Sequence, residues 1–482
     1  MPPPAGTIQH LVVLMLENRS FDHMLGFMKS AAYPIDGLSG NESNLDPNGT
    51  PVTVSRDANY SGDLTVDPGH LFPDVNMQIF GNSAGTGDPV MTGFVMDYAQ
   101  MSGSNPALSH NVMKCFSPGP VPPCKIPILT TLAGQYAVCD RWFSSVPGPT
   151  LPNRSFAHAA TSIGRVDMNP IWFSESKTIY ELLAASTPPV SSKIFFHDAS
   201  MAQTFKNFLK NQSFFGTFDD FLDACGNGKL PAYSFIEPRY NPDDVNHLGA
   251  NDQHPDHDVA EGETLIQDVY NAIRKSSVWN NTILLVVYDE HGGLYDHVPP
   301  PATVNPDNLN STNPFFDFSR LGVRVPAVVI SPWIPAGTID HLQYDHASIA
   351  ATARKLFLGA DWQKTPLTSR DEIAIPFDGN LTLDAPRTDV INFSAPHTAE
   401  ALARVANQPQ VDARTAVNAA RPLSDLQKTT VAQAHFVNQY GLPADQGPDT
   451  TGDQIKTAGE AAAFHAAVNS AFLAPKTQKA GE

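Results

Sequence analysis

The apolar run Leu11-Val12-Val13-Leu14-Met15-Leu16 passes without a turn signal into Glu17-Asn18-Arg19-Ser20-Phe21-Asp22-His23. A run with no polar face makes a strand that must be covered on both sides, as in a parallel sheet between helices. Ligands of such sheets collect beyond the strands' carboxyl ends. A buried strand ending in a carboxylate, an amide and a guanidinium therefore reads as the edge of an active site. A capped strand with merely solvated polar residues would give the same pattern.

The pattern recurs along the chain. Further apolar or β-branched runs are Ala137-Val138-Cys139, Ile194-Phe195-Phe196, Tyr233-Ser234-Phe235-Ile236, Ile283 to Tyr288 and Ala327 to Ile330. Three of them end as the first does, in His197-Asp198, Glu237-Pro238-Arg239 and Asp289-Glu290-His291. Between them lie helical patterns, at Glu263 to Trp279, where Leu265, Val269 and Ile273 share one face, and at Tyr344 to Leu358. The alternation predicts an α/β chain with a mostly parallel central sheet sandwiched by helices. Residues 40–110, rich in Gly, Asn, Asp, Ser and Pro, are expected to be loops decorating the sheet. The Ala-, Gln- and Thr-rich stretches Ala399 to Ala406 and Ala458 to Phe472 predict a smaller, mainly helical C-terminal region. The expected division is a catalytic domain at 1–394 and a helical appendage at 395–482.

Composition narrows the partners. With Lys+Arg 30 against Asp+Glu 49 the net charge is −19, so the average field repels nucleic acid and strongly anionic membranes. Transient contact with a zwitterionic lipid surface stays compatible. The longest apolar runs are about six residues, against the ~20 of a membrane-spanning helix. Met1-Pro2-Pro3-Pro4 has neither a basic start nor an apolar core, so the chain is expected to be cytoplasmic, or exported with a signal outside this sequence. Cys115 and Cys124 are compatible with a small disulfide loop and equally with reduced, buried thiols.

The chemistry concentrates at three places. Asp289 and Glu290 are adjacent carboxylates at the end of a buried strand, costly unless a cation or strong donors compensate them. Gly292 and Gly293 follow, which would let the backbone approach a ligand closely. With Glu17 and Asn18 these residues make an all-oxygen set suited to a hard divalent cation, Ca²⁺, Mg²⁺ or Mn²⁺, rather than Zn²⁺. In Pro147-Gly148-Pro149-Thr150-Leu151-Pro152-Asn153-Arg154, Pro152 is acceptable only in a helix's first turn, which sets Thr150 near the N-cap. Its hydroxyl is either an ordinary cap or, beside a metal and the positive helix end, a nucleophile toward phosphorus. Ser144 and Ser145 are weaker candidates. In Asn251 to Asp258, His254 and His257 stand among acidic residues, either a second metal site or a solvated acidic loop. His70 and His197 are singletons whose value depends on the fold.

These residues resemble a known family. Glu17 to His23, Thr150 to Arg154, Asp289 to Gly293 with Asp296-His297, and Arg324-Val325-Pro326 through Ser331-Pro332-Trp333 are similar, in order over residues 8–360, to the phosphoesterase family of bacterial phospholipases C and plant non-specific phospholipases C. That family is similar in fold to alkaline phosphatases and includes acid phosphatases. The resemblance implies that Glu17, Asn18, Asp289 and Glu290 hold a metal together with Thr150, the nucleophile. It implies that Asn153 contacts phosphate and that His70, His197 and His254 form the phosphate pocket, His197 and His254 also serving catalysis. Arg19, Asp22 and His23 are expected to brace the loop. The acid-phosphatase branch carries serine as nucleophile and a second aspartate, where this chain has Thr150 and Glu290. The resulting expectation is a metal-dependent phospholipase C that forms a phosphothreonine intermediate and acts on a phospholipid or small phosphoester. Its rivals are a broad-specificity acid phosphatase and a catalytically inactive lipid- or metal-binding protein.

Overall fold

A computed structural model describes residues 2–103, 105–169, 176–242, 248–393, 420, 422–442, 447–450 and 452–474. Its strands are β1 (His10–Leu16), β2 (Ala137–Cys139), β3 (Ser192–Phe196), β4 (Phe215–Thr217), β5 (Tyr233–Glu237), β6 (Thr282–Tyr288), β7 (Ala327–Ile330) and β8 (Thr338–Asp340). They form one eight-stranded sheet in the order β8-β2-β7-β6-β1-β5-β3-β4. β7 runs antiparallel to both its neighbours, and every other pairing is parallel. β1 is central, and Leu11 to Leu16 are wholly buried, as a strand with no polar face requires. β1 and β6 pair in register from His10 opposite Thr282 to Leu16 opposite Tyr288, so Glu17 and Asp289 leave the sheet side by side.

The helices that bear on the site are α1 (Phe72–Phe80), α2 (Phe94–Met101), α3 (Pro127–Gln135), α4 (Thr150–Ala159), α5 (Val259–Lys275), α6 (Ala347–Phe357), α7 (Asp425–Phe436) and α8 (Ala458–Leu473). α5 buries Leu265, Val269 and Ile273 as expected, but the Asp258 side chain caps its start and it ends at Lys275, short of Trp279. α1 and α2 correct the expectation of plain loops at 40–110. Phe72, Val75 and Ile79 on one helix, with Phe94, Val95 and Tyr98 on the other, are buried, and α2 helps build a second apolar cluster beside the sheet. Polar residues between these positions hid the periodicity. The short strands β4 and β8 were not expected either, each being three residues long.

Residues of α7 and α8 such as Val431, Phe464 and Phe472 join the same apolar cluster as the sheet, with Phe472 against Phe215 at 5.5 Å. The expected helix at Ala399 to Ala406 lies outside the described residues. All four cysteines are free, so Cys115 and Cys124 form no bridge. No described helix is long and apolar enough to cross a membrane.

Glu263 of α5 ties this helix layer together. Buried, it accepts the backbone N–H groups of Ile128 (2.5 Å) and Leu129 (3.2 Å) at the start of α3. Burial pushes its carboxyl up to about 8, against the pull of those two donors. A carboxyl whose pKa is raised on folding stabilises the fold below its unfolded pKa, and that contribution is lost as pH rises through about 8. Glu263→Gln keeps an acceptor without the charge. In urea unfolding between pH 6 and pH 9, the variant should gain on the parent chain with rising pH, by up to about 1.4 kcal/mol per pH unit.

Candidate active site

Glu17 and Asn18 follow β1, and Asp289 and Glu290 follow β6. The Asp289 N–H donates to Leu16 O at 3.1 Å, carrying the ladder one residue past the strands. Asn18 then turns at a positive φ of 53°, and its N–H donates to Asp289 Oδ1 at 3.0 Å. Gly292, at φ +65°, sits where a Cβ would lie 2.1 Å from Asn18 O. That close approach is why a glycine follows the second acid pair.

Thr150 meets these acids from α4. It is the first helical residue, with Pro149 at the N-cap position, one step inside the expected place. Its hydroxyl lies within hydrogen-bonding reach of Glu17 Oε2 (3.1 Å) and Asn18 Oδ1 (3.2 Å) and caps no N–H of its own helix. The ordinary-cap reading is thereby removed. Ser144 and Ser145 are buried braces, their hydroxyls donating to Val146 O and Asp345. Asn153 differs from expectation too: its Oδ1 accepts from Val146 N, while Nδ2 donates to the carbonyls of Val146, Gly148 and Pro149. These contacts tie Asn153 to the loop that carries Thr150.

Arg154, one turn after Thr150, neutralises part of the cluster. Its Nε donates to Glu17 Oε1 at 2.8 Å and lies 3.5 Å from Asp289 Oδ2, while Nη1 stands 3.7 Å from Glu237 Oε2. Its spacing from Thr150 puts both on one helix face, a signal present in the sequence and not used there. Glu237, the strand-end acid of β5, is satisfied by Ser200, Met201 N and Tyr240. The charge near Glu17 is still in excess. Burial raises the Glu17 carboxyl well above the usual range, Arg154 pulls it down, and Asp289 and Asp252 push it further up. Asp289 Oδ2 and Glu290 Oε1 are buried without a hydrogen bond. With Glu17 Oε2, Asn18 Oδ1 and Thr150 Oγ1 these make an all-oxygen donor set, and orphaned carboxylate oxygens are what a metal ion would satisfy.

The histidines divide. His254 is fully buried, with Nδ1 on Asp256 at 2.7 Å and Nε2 free of hydrogen bonds. Burial opposes its charged form, but Asp67, Asp256 and Asp252 together raise its pKa well above the usual range. His257 pairs with Asp252 at 2.6 Å and stands 3.6 Å from Asp256, so the loop is not merely solvated: its imidazoles and carboxylates pair with one another. His70 packs edge-on to His254 at 6.2 Å between ring centroids. His197 stands apart. Its ring stacks on Phe218 at 4.3 Å, burial and Arg239 depress its pKa to about 3, and among the described residues it has no hydrogen bond or ion pair with Thr150, Glu17, Asn18, Asp289 or Glu290. Asp67, Asp256 and Asp252 are the residues sequence reasoning left unnamed, although Asp67 lies three positions before His70.

The sequence pattern of the Phosphoesterase family matches residues 8–358. The chain belongs to the phosphoesterase family. It is similar to non-specific phospholipase C1 of Arabidopsis thaliana, 41% identical over 408 residues that cover 80% of this chain and 73% of that one. It is also similar to phospholipase C B of Mycobacterium tuberculosis, 26% identical over 403 residues and covering 73% of each. Among solved structures, a protein in the alkaline phosphatase superfamily from Vibrio parahaemolyticus superposes with a TM-score of 0.29 at 15% identity, over 51% of this chain and 63% of that one.

A second acid and histidine cluster in this phosphoesterase has a different use. Ligand-type atoms of Asp22, Asp296 and His297 lie within 4.8 Å of one another. Arg324 already supplies the cation, with Nε on Asp296 at 2.9 Å and Nη2 on Asp22 at 3.1 Å, and His297 adds a contact to Asp22 at 2.6 Å. Arg19 braces the other side. It donates to the carbonyls of Gln253 (2.7 Å) and His254 (3.2 Å) and contacts His23, which holds Lys114 O.

Losing Arg154 would leave Glu17 and Asp289 buried without their guanidinium. Arg154→Met, similar in length but uncharged, should cost roughly 3–5 kcal/mol in urea unfolding. A loss under 1 kcal/mol would mean that the carboxylates are neutralised by other means.

Proposed function

We propose that this phosphoesterase is a phospholipase C, which cuts a glycerophospholipid between glycerol and phosphate and releases diacylglycerol and a phosphorylated headgroup. The observation that carries the chemistry is the Thr150 hydroxyl, buried at the start of α4 and held against Glu17 and Asn18. The lipid substrate is supported by the names of the relatives, plant and mycobacterial phospholipases C.

A divalent cation of the Ca²⁺, Mg²⁺ or Mn²⁺ class, held by Glu17, Asn18, Thr150, Asp289 and Glu290, would lower the pKa of the Thr150 hydroxyl and draw charge from the phosphoryl oxygens. Thr150 Oγ1 passes its proton to Glu17 Oε2, 3.1 Å away, and attacks phosphorus in line, and the bond between phosphorus and the glycerol oxygen breaks. His254 Nε2, with Asp256 fixing its other nitrogen, gives a proton to the departing oxygen. The phosphothreonine so formed is hydrolysed when His254 takes a proton from water, which attacks the same phosphorus; the bond between phosphorus and Thr150 Oγ1 breaks, and Oγ1 regains its proton from Glu17. Arg154 keeps Glu17 and Asp289 in place throughout, and Asn153 keeps the Thr150 loop closed. His197 has no part in this scheme.

Thr150→Ala should lower turnover of p-nitrophenyl phosphorylcholine at least ~10³-fold, with a melting temperature close to that of the parent chain. Retained turnover would remove Thr150 as nucleophile. Chelation with EDTA should abolish turnover, and adding back single cations should show which one restores it. Rates measured side by side on phosphatidylcholine and p-nitrophenyl phosphate test the substrate class; turnover of the monoester alone would make the enzyme an acid phosphatase.

A further inference from the structure

Asp67 takes part in no step above, yet it stands among the groups that would meet the phosphate. Its Oδ2 lies 3.6 Å from His254 Nε2 and 3.9 Å from His70 Nδ1. Oδ1 is buried and has no hydrogen bond. The loop carrying it is pressed onto the acid pair of β6. A Cβ on Gly293, at φ +68°, would come within 2.5 Å of Gly69 O and 2.8 Å of Pro68 Cβ. Gln78 holds Gly69 O at 2.6 Å and meets His291 Nε2 at 2.6 Å, so the loop after Glu290 and the loop of Asp67 form one unit. Asp67 consequently feels the charges of His254, His70, Asp256 and Glu290.

A carboxylate in this position penalises negative charge on the substrate. A phosphodiester carries one charge on its phosphate, whereas a phosphomonoester carries about 1.5 to 2 at pH 7. The two imidazoles attract either substrate, and Asp67, beside the His254 Nε2 that would meet it, repels the second charge of the monoester. We propose that Asp67 is a specificity-determining residue, through which this site prefers phosphodiesters to dianionic phosphomonoesters. The proposal rests on the phospholipase C reading and deepens it, because it names the group that separates that activity from an acid phosphatase.

The test compares the full-length chain with Asp67→Asn, which keeps the shape and removes the charge, and with Asp67→Glu, which keeps the charge. For each, kcat/KM is measured on p-nitrophenyl phosphorylcholine and on p-nitrophenyl phosphate, with inorganic phosphate as competitive inhibitor. Asp67→Asn should raise the monoester-to-diester ratio roughly tenfold and tighten phosphate inhibition by a similar factor, while Asp67→Glu stays near the parent ratio. An unchanged ratio, or an equal loss on both substrates, overturns the proposal and leaves Asp67 as a support for the histidines. If circular dichroism shows Asp67→Asn unfolded, the same ratio is read in Asp67→Ser. A parent chain that turns over the monoester alone overturns the phospholipase reading and this proposal together, whereas an unchanged ratio in a diester-active chain overturns the proposal alone.

Discussion

Glu17 and Asp289 are forced together by the parallel, in-register pairing of β1 with β6, and the carboxyl end of the sheet is organised around that repulsion. The pairing is set by apolar burial along whole strands, from Leu11 to Leu16 and from Ile283 to Tyr288, and a slip of one residue would turn every one of those side chains to the other face. The acids therefore cannot move apart without disrupting the core. Arg154 must come to them, and it comes on α4. Since Thr150 lies one turn earlier on the same helix, the geometry that delivers the guanidinium also delivers the hydroxyl. Charge compensation and placement of the Thr150 hydroxyl are one structural event.

The second half of the site depends on backbone rather than charge. Asn18, Gly292 and Gly293 all lie at positive φ, and the two glycines let the loop after Glu290 touch Asn18 on one side and Gly69 on the other. A side chain at either position would push apart the strand-end acids or the loop that brings His70 and Asp67. Backbone strain of this kind persists only where surrounding structure over-determines it. Here Gln78, His291 and Arg19 do so, each holding carbonyls or side chains of the converging loops.

Much of this was legible in the residue pattern, for a physical reason. Strands buried on both faces write themselves as unbroken apolar runs, so β1, β6 and β7 could be read directly, and the polar residues ending β1 and β6 announced the site. Thr150 was legible because Pro152 restricts where a helix can start. Less was legible wherever function depends on contact between distant loops. The Asn153 amide looks free in sequence and is consumed by the carbonyls of its own loop. His197 ends a strand as Glu17 does, but β3 lies two strands from β1, and its ring turns to Phe218. Asp256 sits beside His254 in sequence, and only the fold shows which imidazole it holds. The helices α1 and α2 escaped because polar residues, Asn76, Gln78 and Asp97, are buried along with their apolar ones, which breaks the apolar periodicity.

A chain selected only for stability would not carry this arrangement. Glutamine or asparagine at positions 289 and 290 would keep the shape and relieve the repulsion that Arg154 offsets only in part. The acids are also poor hosts for a phosphate by themselves, in a protein of net charge −19. In the phospholipase C scheme proposed above, positive charge would reach the phosphate from two sides, from a cation at the buried oxygens and from the imidazoles of His70 and His254. Carboxylates would hold both sources in place, Glu17, Asp289 and Glu290 in the first case and, beside His254 and His70, Asp67 and Asp256 in the second. On that scheme the acidity is the scaffold of a positive pocket, and a carboxylate left unpaired there, such as Asp67 Oδ1, works against a second negative charge on the substrate.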